Sequence, residues 1–426
     1  MRHNKPVMLA CAVMASLTLA ACSSSGGSKD DSGKGGPVTL KVIGWKGGAT
    51  ATEADTLKSI NAAFEAAHPN IKIDYVYAQG DTYYQKLNAE LLAGHAEDVI
   101  MTQPSDAPRW AKNGYLADLS DQPWVADLAA PVKPLVTANG KVVVEPNELA
   151  GIGLYSNMKL LKAAGISAPP ATWPEFVADL KALKQAGQPG LALPDKSAWE
   201  IYQAINATAA STVFAGNPNW SDTQAAGKAT FAGDAGWKSA MQRIVDLGTQ
   251  GLIDYKAQLG VDEWSQGSQD FEAGKSAFFL QGSWAMSDLS KGADQGQVRF
   301  TPWPGADDGQ STASTAVGTT WGINARTRHK AEAQEYLTFW SQSAAMTPYL
   351  TAESSASPFR SIPTPNVPGA ETFVSTVAAG RFWVLPAGGW AGSKGQKAMG
   401  SAVQSLLLGQ SSVDQTLQAY DDAARN

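Results

Sequence analysis

Between Val38 and Met101 the apolar pattern of the chain changes period four times, and that alternation restricts the fold more than any other feature. Val38 to Ile43 reads as a strand. Thr52 to His68 places Leu57, Ile60, Phe64 and Ala67 at helical spacing and ends before Pro69, whose ring disfavours further helix. Ile71, Ile73 and Tyr75 alternate as a second strand. Thr82 to Ala93 predicts a helix with Tyr84, Leu87 and Leu91 on one face, closed by Gly94, and Asp98 to Met101 a short buried strand. A β-α-β-α-β order demands right-handed crossovers and a largely parallel sheet, so the expected class is α/β. Ligands of such sheets sit beyond the carboxyl ends of the strands, where Trp45, Lys46, Gly80, Asp81 and Gln103 fall.

Later segments read the same way. In Pro169-Pro170-Ala171-Thr172-Trp173-Pro174-Glu175-Phe176, Thr172 is placed as an N-cap, with Glu175 completing a capping box and Pro174 in the first turn. Phe176, Leu180 and Leu183 then form a buried stripe. Helices are also expected over Gly236 to Gly248, Ala331 to Ser341 and Ser412 to Arg425.

The start of the chain has a different chemistry. Arg2 and Lys5 precede an apolar stretch from Val7 to Ala21, the layout of a secretory signal and too short for a stable span. Leu19-Ala20-Ala21-Cys22 resembles the lipobox of bacterial lipoproteins, which implies that the signal covers 1–21, that Cys22 is lipidated, and that the protein sits outside the cytoplasm on the cell membrane. Residues 23–36 contain no large apolar side chain, so 22–36 is expected to be a flexible leash. Cys11 would leave with the signal; the mature chain then has no disulfide and no CxxC metal or redox site. With 33 Lys and Arg against 39 Asp and Glu, and no basic run, nucleic acid is excluded as a natural partner. Length is enough for two lobes. The 14 Trp residues suit a protein that grips rings.

Several segments in order resemble the extracellular solute-binding proteins of bacterial ABC importers, in the sugar-binding branch. They are Gly153-Leu154-Tyr155-Ser156-Asn157 with Leu160 to Ile166, the capping segment above, Phe271 to Ala277 with Gly282-Ser283-Trp284, and Trp321-Gly322-Ile323-Asn324 with Ala333 to Ser343. Glu97 stands where the family usually has Pro, and Val142 to Glu148 is unusual. The resemblance implies a two-lobe, periplasmic-binding-protein-like clam shell with three hinge crossings and the ligand cleft between lobes. It puts lobe one at 37–142 plus 308–350 and lobe two at 143–307 plus 351–426. It further implies a monomer that binds a carbohydrate and closes on it for membrane permease subunits, with no catalysis, cofactor or metal.

A sugar presents C–H faces and a rim of hydroxyls, so its site needs aromatic platforms and bidentate polar groups. Trp45, Trp199, Trp264, Trp284 and Trp390 lie in loops or at element ends and are the candidate platforms, whereas Trp110, Trp173, Trp237 and Trp340 sit on helical faces and suit packing. Lys46, Asp81, Gln103, Asp262, Gln281, Glu353 and Arg360 are the polar candidates. Two other function classes stay open at this point. A charged solute, such as a polyamine or phosphate ester, would want a concentrated cleft charge. A glycosidase needs only two carboxyl groups at the right separation, which Asp262, Glu263 and Glu353 could supply. No GxSxG or HExxH motif is present.

Overall fold

The computed structural model describes residues 36–48, 51–78, 80–291, 296–386, 390 and 392–425. Cys22, the signal and nearly all of the leash lie outside the described residues. Residues from Pro37 onward form one compact unit.

The alternating segment folds as its periodicity requires. Strand Val38–Gly44 pairs in parallel with Ile71–Tyr77 on one side and Val99–Thr102 on the other. Helices Ala51–Ala67 and Gly80–Ala93 make the crossovers. Two antiparallel strands, Thr320–Ile323 and Glu145–Pro146, extend this five-stranded first sheet. Its core holds Leu40, Val42, Phe64, Leu87 and Ile100. Burying each such side chain contributes about 1.5–3 kcal/mol.

A second sheet of six strands is centred on Leu149–Asn157, every residue of which is buried. Phe278–Gly282, Val298–Pro302 and Ala313–Val317 pair antiparallel to it. Both faces are covered, which explains why this strand reads as continuous rather than alternating. On one face Leu154, Phe278 and Leu280 pack with Phe176, Ile205 and Met241. On the other, Tyr155 meets Phe300 at 4.7 Å between ring centroids. The helix Trp173–Gln185 opens with the anticipated capping box, Thr172 Oγ1 accepting from Glu175 N at 3.1 Å.

The chain passes between the sheets at Asn147-Glu148, at Gly318-Thr319, and after the helix Ser343–Ala352. Two boundaries therefore shift from the sequence expectation. Val143 to Pro146 stays with the first lobe, because Glu145–Pro146 is an edge strand of its sheet. Residues 308–317 belong to the second lobe, because the loop between Val298–Pro302 and Ala313–Val317 only turns the chain between two strands that pair with Leu149–Asn157 in one sheet. The third passage returns to the first lobe before leaving it, since Phe359 bridges to Leu128.

Candidate functional site

A cavity of about 910 Å³ opens between the two sheets, with the crossing residues Glu148, Gly318, Thr319 and Glu353 on its lining.

The first-lobe wall is built on the carboxyl end of Val38–Gly44. Glu53, in the first turn of the following helix, accepts from Gly47 N at 2.8 Å and Gly48 N at 3.2 Å, while the Tyr75 hydroxyl donates to Lys46 O at 2.6 Å. These bonds fix the loop that carries Trp45 and Lys46. Trp45 stands against Tyr83, 5.1 Å away and nearly perpendicular. Lys46 Nζ donates to Glu353 Oε2 at 2.5 Å and lies 3.5 Å from Glu53 Oε1. Burial opposes the ammonium charge, but Glu353, Glu148 and Glu53 outweigh it and push the Lys46 pKa up. Burial, with the Glu148 charge adding to it, pushes Glu353 up to about 7 even though Lys46 opposes the shift. The hinge beneath is polar and connected. Glu148 accepts from Ser355 Oγ at 2.7 Å and Thr319 Oγ1 at 3.3 Å, and Ser283 Oγ reaches Ser355 Oγ at 3.2 Å.

Three indoles form the second-lobe wall. Trp199 lies 4.7 Å from Trp264 and 6.2 Å from Trp284 between ring centroids. Trp264 is 49% exposed and presents an apolar ring to the cavity. Ala198, just before Trp199, holds φ +63°, a region that costs an L-residue free energy and persists where the surroundings enforce it. Gly400 allows this: a Cβ there would come within 1.9 Å of the Ala198 carbonyl oxygen. Gly282 does the same for Trp284, whose ring occupies the place of a Cβ.

Carboxyl groups hold the loops under these rings. Asp262 Oδ1 accepts from Trp264 N at 3.2 Å, Ser265 N at 2.9 Å and Ser265 Oγ at 3.0 Å. The Ser265 backbone bond is the chief reason its pKa is lowered. Glu263 accepts from the Ser197 hydroxyl, tying the Trp264 loop to the Trp199 loop. Gln281 donates to Glu263 O at 3.1 Å and accepts from Gly282 N at 2.8 Å. Burial pushes Glu263 up, Asp195 up to about 7, and Glu200 far above the carboxylate range.

Trp45, Lys46, Gln103, Trp199, Trp264, Gln281, Trp284 and Glu353 thus all line the cavity. The Asp81 side chain lies outside the described residues. Three candidates are placed elsewhere. Asp262 is used up within its own turn. Arg360 donates to Ala126 O at 2.6 Å and approaches Asp127 on the exterior, because the third passage revisits the first lobe there. Trp390 belongs to an aromatic core, stacked 5.9 Å from Phe214 and 6.0 Å from Trp383, with Trp220 and Trp237 edge-on. Its partners come from distant segments, which a local reading of a loop does not reveal.

Sequence reasoning missed Glu53, Glu148, Gln203, Glu272 and Asp288, all on the cavity lining. Helical spacing from the Trp candidates would have found one of them, Gln203, four residues after Trp199. Among the described residues no group of His, Cys, Asp and Glu is arranged to hold a metal ion.

Two α/β lobes around a ring-lined cleft, joined by three crossings, define a solute-binding protein of the clam-shell class. The model of the bacterial extracellular solute-binding proteins matches residues 49–347, and the chain belongs to that family. It is 25% identical over 360 residues to the multiple sugar-binding protein of Streptococcus mutans, covering 83% of this chain and 82% of that one. It is 30% identical over 193 residues to the melibiose/raffinose/stachyose-binding protein MelE of Bacillus subtilis, covering 44% and 43%. A solved chitin oligosaccharide binding protein superposes with a TM-score of 0.73 over 92% of this chain and 100% of that one, at 22% identity. Members of the family are binding proteins that act outside the cytoplasm.

Proposed function

We propose that this protein captures a carbohydrate, an oligosaccharide rather than a single sugar, and delivers it to the permease of an ABC importer by closing its lobes. The observation that carries the reading is the trio Trp199, Trp264 and Trp284 on one wall, with Trp45 on the other. Indole faces match the C–H faces of pyranose rings, and several platforms suit several rings. The cavity volume lies at the upper end of the range for small-molecule sites, with room for more than one sugar. The sugar-binding relatives support the same solute class. A phosphate ester is disfavoured, because Lys46 is the one cationic side chain on the described lining and carboxylates already hold it. We read the chain as binding without turnover, as a monomer, and as tethered through Cys22.

Titration calorimetry of the mature chain against neutral oligosaccharides, polyamines and phosphate esters tests this. One neutral oligosaccharide bound per chain and recovered unchanged is the expected result. Binding of polyamines alone, or release of new reducing ends, overturns it. For the tether, Cys22→Ala should move the protein from membrane to medium with unchanged affinity. Retention of a signal-processed variant on the membrane refutes the anchor.

A further inference from the structure

The polar groups of the cleft are unbalanced. Glu53, Glu148, Glu272, Asp288 and Glu353 line it against the single cation Lys46, among the described residues. Lys46 is engaged by Glu353 and Glu53, so its charge is turned towards the protein. The carboxylates of Glu272 and Asp288 lie close enough that Asp288 adds to the upward shift that burial gives Glu272. Lys291, 3.2 Å from Asp288, offsets part of this, but a solute entering the space still meets more carboxyl groups than cations.

One acceptor singles itself out. Gln203 lies on the helix Glu200–Ala209, one turn beyond Trp199, and so on the same face as that indole. It lines the cavity at only 4% exposure, and its Oε1 has no hydrogen-bond partner. A buried acceptor left without a donor costs free energy, and native proteins retain few of them without a reason. Oε1 is itself buried, so beside a ring-binding wall a ligand supplies the missing donor once the terminal amide turns towards the cavity.

We propose that the cleft selects carbohydrates that carry no acidic group, and that Gln203 is the specificity-determining acceptor that reads a donated hydroxyl or amino hydrogen beside Trp199. This rests on the carbohydrate reading above and narrows it. A sugar carboxylate would add a like charge where the electrostatic field is already negative, and one that stands at Gln203 itself has no hydrogen to donate. A hydroxyl, or an amine in its place, satisfies the acceptor, and the charged amine is attracted by the indole faces as well.

The test uses melibiose, raffinose, stachyose, maltotriose and chitobiose, each beside its counterpart with primary alcohols oxidised to carboxylates. Calorimetry on the full mature chain is expected to give a neutral sugar that binds and an oxidised form at least about a hundredfold weaker, the scale of a lost hydrogen bond plus a like charge. Equal or tighter binding of an oxidised form overturns the selection while leaving the carbohydrate reading in place. Binding of neither form, with a polyamine or phosphate ester bound in its place, removes that reading itself. Gln203→Met keeps the volume and deletes the acceptor. It should weaken the neutral sugar by about tenfold or more while the unliganded melting temperature holds or rises. A lower melting temperature with intact affinity makes Gln203 a packing residue and overturns its role. The paired change Glu272→Gln with Asp288→Asn, both near the surface, should narrow the ratio between neutral and oxidised forms. An unchanged ratio removes the charge from the explanation.

Discussion

The two walls of the cleft are held by opposite means. On the first lobe, Trp45 and Lys46 sit on a loop fixed by charged and backbone bonds, with Lys46 drawn to Glu353 and Glu53. On the second, three indoles lean on one another over loops tied by Asp262, whose turn bonds lower its pKa, and by Glu263 and Asp195, which burial pushes up. The first wall relies on ionised groups that compensate one another. The second relies on apolar area, with carboxyl groups serving the loops beneath rather than the cavity. Perturbing one wall should therefore leave the signature of the other intact.

The largest effect is expected where a buried charge loses its partner. Lys46→Met leaves Glu353 and Glu148 facing each other at the hinge without a counter-charge. Breaking a buried pair from one side typically costs about 3–5 kcal/mol. Chemical denaturation of the unliganded protein should show that loss, and Glu353→Gln in the same chain should return part of it. An undiminished stability would mean that the first wall is not organised by charge.

Next come the indoles, where site and core separate. Trp390→Ala removes a ring from the cluster of Phe214, Trp220, Trp237 and Trp383, and should cost about 3 kcal/mol of folding stability, the lower end for such truncations because the ring is half-buried. Ligand affinity should hold. Trp284→Ala and Trp199→Ala should behave the other way, weakening binding by about 1–3 kcal/mol, a range taken by analogy from aromatic stacking on bases, with a small change in melting temperature. Calorimetry and melting on the same three variants decide it. If Trp390→Ala loses affinity instead, the second wall extends further than its three rings.

What the sequence made legible was local. Period alternation located the first three strands and two helices, because both periods are written within a few residues. The capping box at Thr172 and Glu175 was readable for the same reason. Eight of the ring and polar candidates line the cleft because residues at strand ends and helix starts of α/β lobes point there as a class. The failures were non-local. Trp390 looked unsupported in a glycine-flanked loop, yet its neighbours come from residues 214 to 237 and from Trp383. Arg360 was placed in the second lobe, since no pattern announces that the chain doubles back to pair Phe359 with Leu128. Asp262 was rightly seen beside Trp264, but its oxygen serves the turn, a distinction that spacing alone does not draw.

The smallest expected effect is also the one that tells the walls apart by proton uptake. Asp195 accepts from Ile201 N at 3.0 Å and from the Gln404 amide at 3.0 Å, yet burial, with Glu263 adding to it, lifts its pKa from 3.8 to about 7. Glu200 and Glu263 move in the same direction. A group raised in the folded state holds its proton longer than the unfolded chain does. Its contribution to stability is thus complete below the unfolded pKa, near 4, and is lost as pH rises to about 7. Asp118, held down at about 2 chiefly by Lys141, acts only at lower pH, while Asp179, raised to about 6 by burial, adds a share to this window that belongs to neither wall. The melting temperature of the unliganded protein should therefore fall by a few degrees between pH 5 and pH 8. Glu353, raised to about 7 on the first wall, adds to the same slope. Asp195→Asn keeps an acceptor for Ile201 N and has no proton to lose, so it should flatten the second-wall share. Glu353→Gln should remove the first-wall share. A slope that neither substitution reduces would show that neither buried carboxyl takes up a proton in this range. A slope removed wholly by Glu353→Gln would place the proton sensitivity on the charged wall and leave the aromatic wall insensitive to pH.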